Sequence, residues 1–392
     1  MPTKSNFDLL VIGAGILGTF HAFHALRAGQ RVALIEQHKK PQSASTRNFG
    51  QVVPSGMNAK WQTIGRRSLE IYQELQRKVD ISIQPNGSIY IASNEDEVGL
   101  IEELALRNKD VGYPSMLLTK SECLNRWPVL RPTYCKAGLF FPEEVSLDPR
   151  FAVQQTIAFM VEQMGLFYFP DCQIKHSYTN KDRVKLRSSD NREFMGSQAI
   201  LCNGSEFKNL FPRLFRNSDL AVSKLQMLRT VPQKSVEIKG NILTGRTIRR
   251  YESFSECPSF KTVKACEPQS SFAKKHGVHI LLTQAADGTV VLGDSHEYAD
   301  ARDKDDLSYE IDHSINRFML EEAKKIFNLQ NWQLQNTWFG VYSQCKNQDI
   351  FQQTLDKRLH VVTGIGGKGM TGSPGFAEQN IQHLLQTGTA VT

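Results

Sequence analysis

The chain has 392 residues, 40% of them hydrophobic and 22% charged, with a formal net charge of +7. That length suits two domains, or one large domain carrying an insertion, built from ordinary globular composition. It argues against a nucleic-acid binder, because the basic residues form no long run and no aromatics are interleaved among them. It also argues against a membrane span, which needs about 18 uncharged apolar residues in succession.

The first predicted element is an apolar strand over Phe7–Ile12, followed by a glycine turn and a helical stretch over Thr19–Ala28. A second apolar strand, Arg31–Ile35, ends at Glu36. A Ser/Thr/Gly-rich segment, Ser43–Gly56, leads to a helix from Lys60 to Arg77. Ser88–Ala92 alternates like a strand and Glu95–Asp110 is charged and helical. Phe151–Met164 has helical spacing, Leu166–Phe169 reads as a strand, and Arg183–Arg187 with Glu193–Gly196 predicts a hairpin around Asp190-Asn191. Gln198–Gly204 is a buried strand running into a glycine turn, as in a parallel sheet. Residues 226–335 read mainly as strands, with a late helix at Tyr309–Ile326. The chain closes with a strand at Leu359–Thr363, a glycine-rich turn and a helix over Phe376–Leu385.

Nucleotide-type elements at both ends with a strand-rich middle predict an α/β protein. Its Rossmann-like domain is discontinuous, formed by 1–84, 144–225 and 336–392. An α+β substrate domain, dominated by an antiparallel sheet, is expected from 85–143 and 226–335. The seven cysteines are too far apart for a CxxC pair and fit free thiols in a reducing cytosol, so a cytoplasmic location is expected. Asp8 and the glycine turn interrupt the opening apolar run, which therefore does not read as a signal peptide.

The turn Gly13-Ala14-Gly15-Ile16-Leu17-Gly18 is a GxGxxG sequence. Gly13 permits the tight turn, Gly15 lets backbone amides approach a pyrophosphate, and Gly18 lets the helix lie against the sheet. Glu36 stands where a carboxylate accepts hydrogen bonds from an adenosine ribose and repels a 2′-phosphate. An ADP-containing dinucleotide is expected; the motif alone does not separate NAD from FAD. The second cluster, Gly364-Ile365-Gly366-Gly367-Lys368-Gly369-Met370, is too glycine-rich for a simple hairpin and suits close backbone approach to a ligand. Two such sites at opposite ends of the chain suit FAD, with its pyrophosphate on the first and its isoalloxazine over the second.

These tracts, with Ser45-Thr46-Arg47-Asn48-Phe49-Gly50-Gln51, Val145–Arg150, Ala199–Ser205, Val291–Asp294 and Thr337–Tyr342, resemble the FAD-dependent amine and amino-acid oxidoreductases of the D-amino-acid oxidase, glycine oxidase and sarcosine oxidase superfamily. Within it, Arg47–Gln51 and Gly366–Thr371 resemble a subgroup associated with aminophosphonate breakdown. The resemblance implies that Ser45 and Arg47 touch the pyrophosphate and that Asn48, Gly50 and Gln51 pass under the flavin ring. Ile174 would meet the adenine and Gly204 would join the cofactor site. Gly366, Gly367, Lys368, Gly369 and Met370 would face the pyrimidine end of the ring, where a cation at Lys368 stabilises negative charge formed on reduction.

The departures from the family pattern also carry expectations. Sarcosine oxidases bond FAD through a cysteine where this chain has Gly340, so non-covalent FAD is expected. Tyr342-Ser343 stands where glycine-oxidase-like relatives place a carboxylate-binding arginine. Val291 replaces a lysine that helps oxygen react, leaving O2 or an unidentified carrier as electron acceptor. The expected partner is a small, anionic amine, an amino acid or aminophosphonate. Its C–N bond would be oxidised by hydride transfer to flavin N5, followed by imine hydrolysis. His296, Tyr342 and Lys368 are the candidates for the catalytic side, with Tyr251 beside them, and Lys224, Arg229 and Lys346 are further sources of positive charge. The rival readings are an NAD-dependent dehydrogenase and a non-catalytic flavin-binding protein of the same fold.

Overall fold

The computed structural model describes residues 6–180 and 182–388. The outer ends of the expected first and last segments, 1–5 and 389–392, lie outside the described residues. β1 (Asn6–Ile12), α1 (Ile16–Arg27) and β2 (Val32–Ile35) form the opening unit. β1 pairs in parallel with β2 on one side and with Glu193–Leu201 on the other. Phe167–Phe169 extends this parallel array beyond β2, and Leu359–Thr363 extends it beyond Glu193–Leu201. An antiparallel edge strand, Phe351–Leu355, and the strands Ile174–Thr179 and Val184–Ser188 complete eight strands. Continuous apolar runs such as Val32–Ile35 suit a parallel sheet covered on both faces.

The second sheet has nine strands in the order Glu297–Asp300, Leu220–Thr230, Val290–Gly293, Leu281–Gln284, Asn241–Leu243, Ser88–Ala92, Ala137–Phe141 and Met116–Thr119, with Leu334–Cys345 also on Leu220–Thr230. Its pairings are antiparallel except Asn241–Leu243 with Ser88–Ala92. Alternation splits the faces. Ile89 and Ile91 pack with Met319, Ala323 and Ile326 of the helix His313–Ile326. Tyr90 and Ala92 pack with Leu100, Ile101 and Leu104 of the helix Glu95–Asp110. The expected α/β architecture, a Rossmann-like unit with a largely antiparallel substrate sheet, is thus present. The expected divisions at 225/226 and 335/336 fall inside Leu220–Thr230 and Leu334–Cys345, both members of the nine-stranded sheet. Among the described residues no helix is long and apolar enough to cross a membrane.

Three sequence expectations need correction. Residues 245–275, read as strand, form short helices at Gly245–Ile248, Glu252–Ser255, Phe260–Ala265 and Phe272–Lys275, each too short to express a helical period. The late helix begins at His313 rather than Tyr309, because Asp312 caps it through the Ser314 amide. The last helix starts at Gly369, seven residues before Phe376. Its glycines and Pro374 hide that start. Gly372 and Gly375 serve packing against α2 (Ala59–Gln76): a methyl group at Gly375 would lie 2.4 Å from the Ile64 carbonyl oxygen.

Glu144 is fully buried, accepting hydrogen bonds from the Ser55 amide and the Tyr113 hydroxyl, each at 2.8 Å. Burial raises its carboxyl from the ordinary value of 4.5 to about 7, against those hydrogen bonds. Between these two values the folded chain binds more protons than the unfolded one, so this residue costs stability as pH rises. Over that window the loss approaches about 3 kcal/mol. Melting curves of wild type and Glu144→Gln from pH 5 to 8 should therefore diverge, with wild type losing ground; parallel curves would contradict this.

Candidate active site

A cavity of about 1120 Å³ runs between the two sheets, at the upper end of the range for ligand sites. At one end lie Gly13, Gly15, Ile16 and Leu17 at the start of α1, Glu36 after β2, and Ile174. Gly13 has φ +98°, and a methyl group there would lie 2.3 Å from the Cys202 carbonyl oxygen. Gly15 caps α1 without a side chain, and Ser45 Oγ accepts from the Ile16 amide at 2.9 Å. No side chain of Gly15 covers the helix N-terminus on the cavity side, where a pyrophosphate would meet the positive end of the dipole. The Glu36 carboxylate, buried at 6% exposure, is fixed by the Ala14 and His38 amides at 2.9 and 3.0 Å.

Gly18 and Gly50 do not line the cavity; they shape it. A methyl group at Gly18 would lie 1.8 Å from the Gly13 carbonyl oxygen, and one at Gly50, φ +71°, 1.8 Å from that of Leu147. Asn48 ties its loop by donating to the Ala44 carbonyl and accepting from the Gly50 amide. Arg47 donates to the carbonyls of Gln42 and Phe339, clasping that loop to the strand Leu334–Cys345. Gln51 reaches the second sheet through Thr283 Oγ1 at 2.8 Å. Gly204 lies on the wall, its carbonyl accepting from Ser343 and Thr363.

The late glycine cluster borders the same cavity. Gly366, Gly367 and Lys368 form one 3-10 turn ahead of the last helix, and Gly369 and Met370 begin that helix. A methyl group on Gly369 would lie 3.6 Å from Ile16 Cγ2, so the two helix N-termini converge on one chamber. The residues fit an extended dinucleotide, because bulk is missing where such a ligand would pass. Lys368 Nζ is held by Glu252 Oε1 at 2.6 Å and faces Asp349 at 3.8 Å. Its charge therefore acts within a cluster of three rather than as an isolated cation.

Beyond the glycines stands a polar chamber lined by Arg250, Tyr251, His279, Asp294, His296 and Tyr342. The Tyr342 hydroxyl would lie 3.9 Å from a methyl group at Gly367, joining this chamber to the late turn. Arg250 donates to the Tyr298 hydroxyl at 2.8 Å and enters no ion pair among the described residues. Burial pushes the Tyr342 hydroxyl well up, so it is neutral at physiological pH. Burial alone would raise the Asp294 carboxyl, but His279, His296 and Arg250 beside it hold it below the usual carboxylate range. Arg250, His279 and Asp294 are the residues that sequence reasoning missed. Arg250 sits beside Arg249, which serves Glu97 instead, and nothing in the pattern separates the two. The pair Asp294 and His296, two apart after a strand, was the available signal.

The other expected cations fare less well. Lys224 is 2% exposed, donating to the Glu310 carbonyl and facing Glu297, away from the cavity wall. Arg229 also lies off the wall, over the Trp338 ring. Lys346 lines the cavity but pairs with Asp300.

The family model of the FAD dependent oxidoreductases, DAO, matches residues 8–380. The chain belongs to the DAO family. It is thus an FAD-dependent oxidoreductase, and the nicotinamide alternative falls away. Among curated relatives, N-methyl-L-tryptophan oxidase of Escherichia coli is 25% identical over 220 residues, 53% of this chain and 56% of that protein. The chain therefore spans little more than half the length of that relative. Among solved structures, glycine oxidase from Geobacillus kaustophilus has a TM-score of 0.77 at 14% identity, over 97% of this chain and 95% of that one. Dithionite-reduced L-alpha-glycerophosphate oxidase from Mycoplasma pneumoniae, with FAD bound, gives 0.76 at 16% identity, again over 97% and 95%. At these identities the two structures establish the fold of this DAO-family chain and not its substrate.

Proposed function

We propose that this DAO-family enzyme oxidises the C–N bond of a small amine bearing an anionic group, an amino acid or an aminophosphonate. The observation that carries the reading is the Arg250 guanidinium, free of ion pairs among the described residues, sharing one chamber with the Asp294 carboxylate. Opposite charges in one small chamber complement a zwitterion. A guanidinium that is fixed by one phenol still has donors for a carboxylate or phosphonate. In this reading the segments 1–84, 144–225 and 336–392 hold the cofactor and 85–143 and 226–335 cover it, with the two long strands shared between them.

FAD, when bound, supplies the acceptor for a hydride from the carbon next to nitrogen. Gly13, Gly15, Ile16, Leu17, Glu36, Ser45 and Ile174 would hold its nucleotide end, and Gly366, Gly367, Gly369 and Met370 its ring. Arg250 binds the anion, and Tyr251 and Tyr342 wall the chamber against water. The oxidised imine then hydrolyses to a carbonyl product and ammonia or an amine. The electron acceptor is O2 or a carrier.

An anaerobic screen of D- and L-amino acids, N-methyl amines and aminophosphonates should bleach the yellow protein with one of these groups. Bleaching by neutral alkyl amines alone would remove the anionic-substrate reading. Peroxide yield compared with reduction of an artificial dye assigns the acceptor. Non-covalent attachment is expected, because Gly340 offers no thiol and burial pushes Cys345 up to about 12. Acid precipitation should therefore leave the yellow colour in the supernatant, whereas a yellow pellet would mean a covalent bond.

A further inference from the structure

His279, Asp294 and His296 are 3%, 7% and 6% exposed, and their ligand-type atoms all lie within 4.8 Å of one another. His279 Nε2 is 2.7 Å from Asp294 Oδ1, and Nδ1 of the same ring is 3.2 Å from Thr247 Oγ1. An ionised carboxylate only accepts, and His279 Nε2 stands at ion-pair distance from it without a well-directed hydrogen bond. His296 Nδ1 is 3.1 Å from the Gly277 carbonyl oxygen, which also only accepts. The hydrogen of the neutral His296 ring is therefore on Nδ1, and Nε2 carries a lone pair. That lone pair stands 4.0 Å from Asp294 Oδ2. Burial drives His296 down to about 3, so a ring proton does not fill the gap. Two acceptors thus face each other inside the chamber with no donor from the described residues between them, a pair that suits a positively charged donor.

We propose that Asp294 Oδ2 and His296 Nε2 form a binding subsite for the protonated amino group of the substrate, which directs one N–H to each. The proposal rests on the amine reading and adds to it the atoms that recognise nitrogen. A single positive charge suits the chamber better than a dication, since Arg250 already brings one positive charge beside Asp294. Primary and secondary ammonium ions carry the two N–H groups required; a tertiary one does not. His296 Nε2 only accepts from the ammonium; burial leaves the ring too weak a base to remove its proton. One N–H bond of the ammonium breaks with the proton passing to solvent water and the electron pair staying on nitrogen, and the neutral amine gives up hydride from its α-carbon to the enzyme's FAD. His279 contacts no substrate in this scheme; it is a positioning residue that turns Oδ2 toward His296.

The test uses FAD-loaded wild type, Asp294→Asn and His296→Gln. The probes are aminomethylphosphonate against methylphosphonate and glycine against acetate, read by perturbation of the flavin absorbance without oxygen. Wild type should prefer an amino probe to its amine-free partner by about tenfold to a hundredfold. Asp294→Asn should abolish that preference while leaving the amine-free probe little changed. His296→Gln, whose amide oxygen still accepts, should keep most of the preference for the amino probe. No preference in wild type, equal losses for both probes in Asp294→Asn, or one transition-metal ion per chain in the purified protein would each overturn the subsite. Preference without bleaching by any amine would support the subsite and remove the oxidation reading; bleaching without preference would do the reverse.

Discussion

Gly18→Ala is expected to yield colourless protein that takes up no FAD, and of all the substitutions considered it has the largest effect. The added methyl group would meet the Gly13 carbonyl oxygen at 1.8 Å and Val11 Cγ1 at 3.3 Å. Neither can retreat. Gly13 is held by its own turn, with its amide donating to the Ile35 carbonyl at 2.8 Å, and Val11 is fully buried in β1. The helix would have to lift from the sheet, carrying its N-terminal amides away from the pyrophosphate position. Gly29→Ala is the matched control. It has positive φ, +80°, unlike the helical Gly18, yet nothing lies within 4 Å, so only the left-handed backbone is penalised, by about 1–2 kcal/mol. Absorbance at the flavin band relative to protein should fall to near zero in the first variant and stay stoichiometric in the second. A yellow Gly18→Ala protein would contradict the assigned role of this turn.

Arg250→Met should weaken binding of an anionic amine on the order of 10²–10³-fold, the scale for removing one partner of a buried charge pair. Methionine retains much of the apolar stem, so the change isolates the guanidinium. Arg250→Lys should recover only part of the loss, because one ammonium cannot reproduce a planar fork. The partner left behind matters too: without Arg250 the Asp294 carboxylate loses one of the charges that holds it ionised. The measurement is the concentration dependence of flavin bleaching with anionic and neutral amines side by side. A selective loss for the anionic compound is expected, whereas equal effects on both would mean that Arg250 only supports the wall.

Much of the cofactor half was legible because its signals are local. A strand, a glycine turn, a helix and an acid at a fixed distance are read within thirty residues, and Gly13, Gly15, Ile16, Leu17 and Glu36 of that unit line the cavity. The substrate chamber was legible only in part, with Tyr251, His296 and Tyr342 named and Arg250, His279 and Asp294 not, for the opposite reason. Arg250, His279, Asp294 and Tyr342 come from four separate segments, brought together by the nine-stranded sheet and the turns around it. No spacing in the chain records that convergence. Lys224 illustrates the converse error: a basic residue in an apolar strand suggested an anion site, but its ammonium ends on Glu310 and Glu297. The last helix was shortened in the sequence reading because glycine and proline lower intrinsic propensity, while Gly372 and Gly375 serve close packing against Trp61 and Ile64.

Gly340 has a consequence for how the molecule survives in use. A methyl group there would stand 3.4 Å from the Arg47 carbonyl oxygen and 3.5 Å from Arg47 Cβ, ordinary contact distances. The backbone could therefore accept a thiol-bearing side chain at the tethering position, and leaves it bare. A prosthetic group without that anchor exchanges with the surrounding pool, and by mass action it stabilises the fold only in proportion to its supply. Heat tolerance in this enzyme should accordingly track the concentration of free flavin nucleotide, a dependence that a tethered relative escapes.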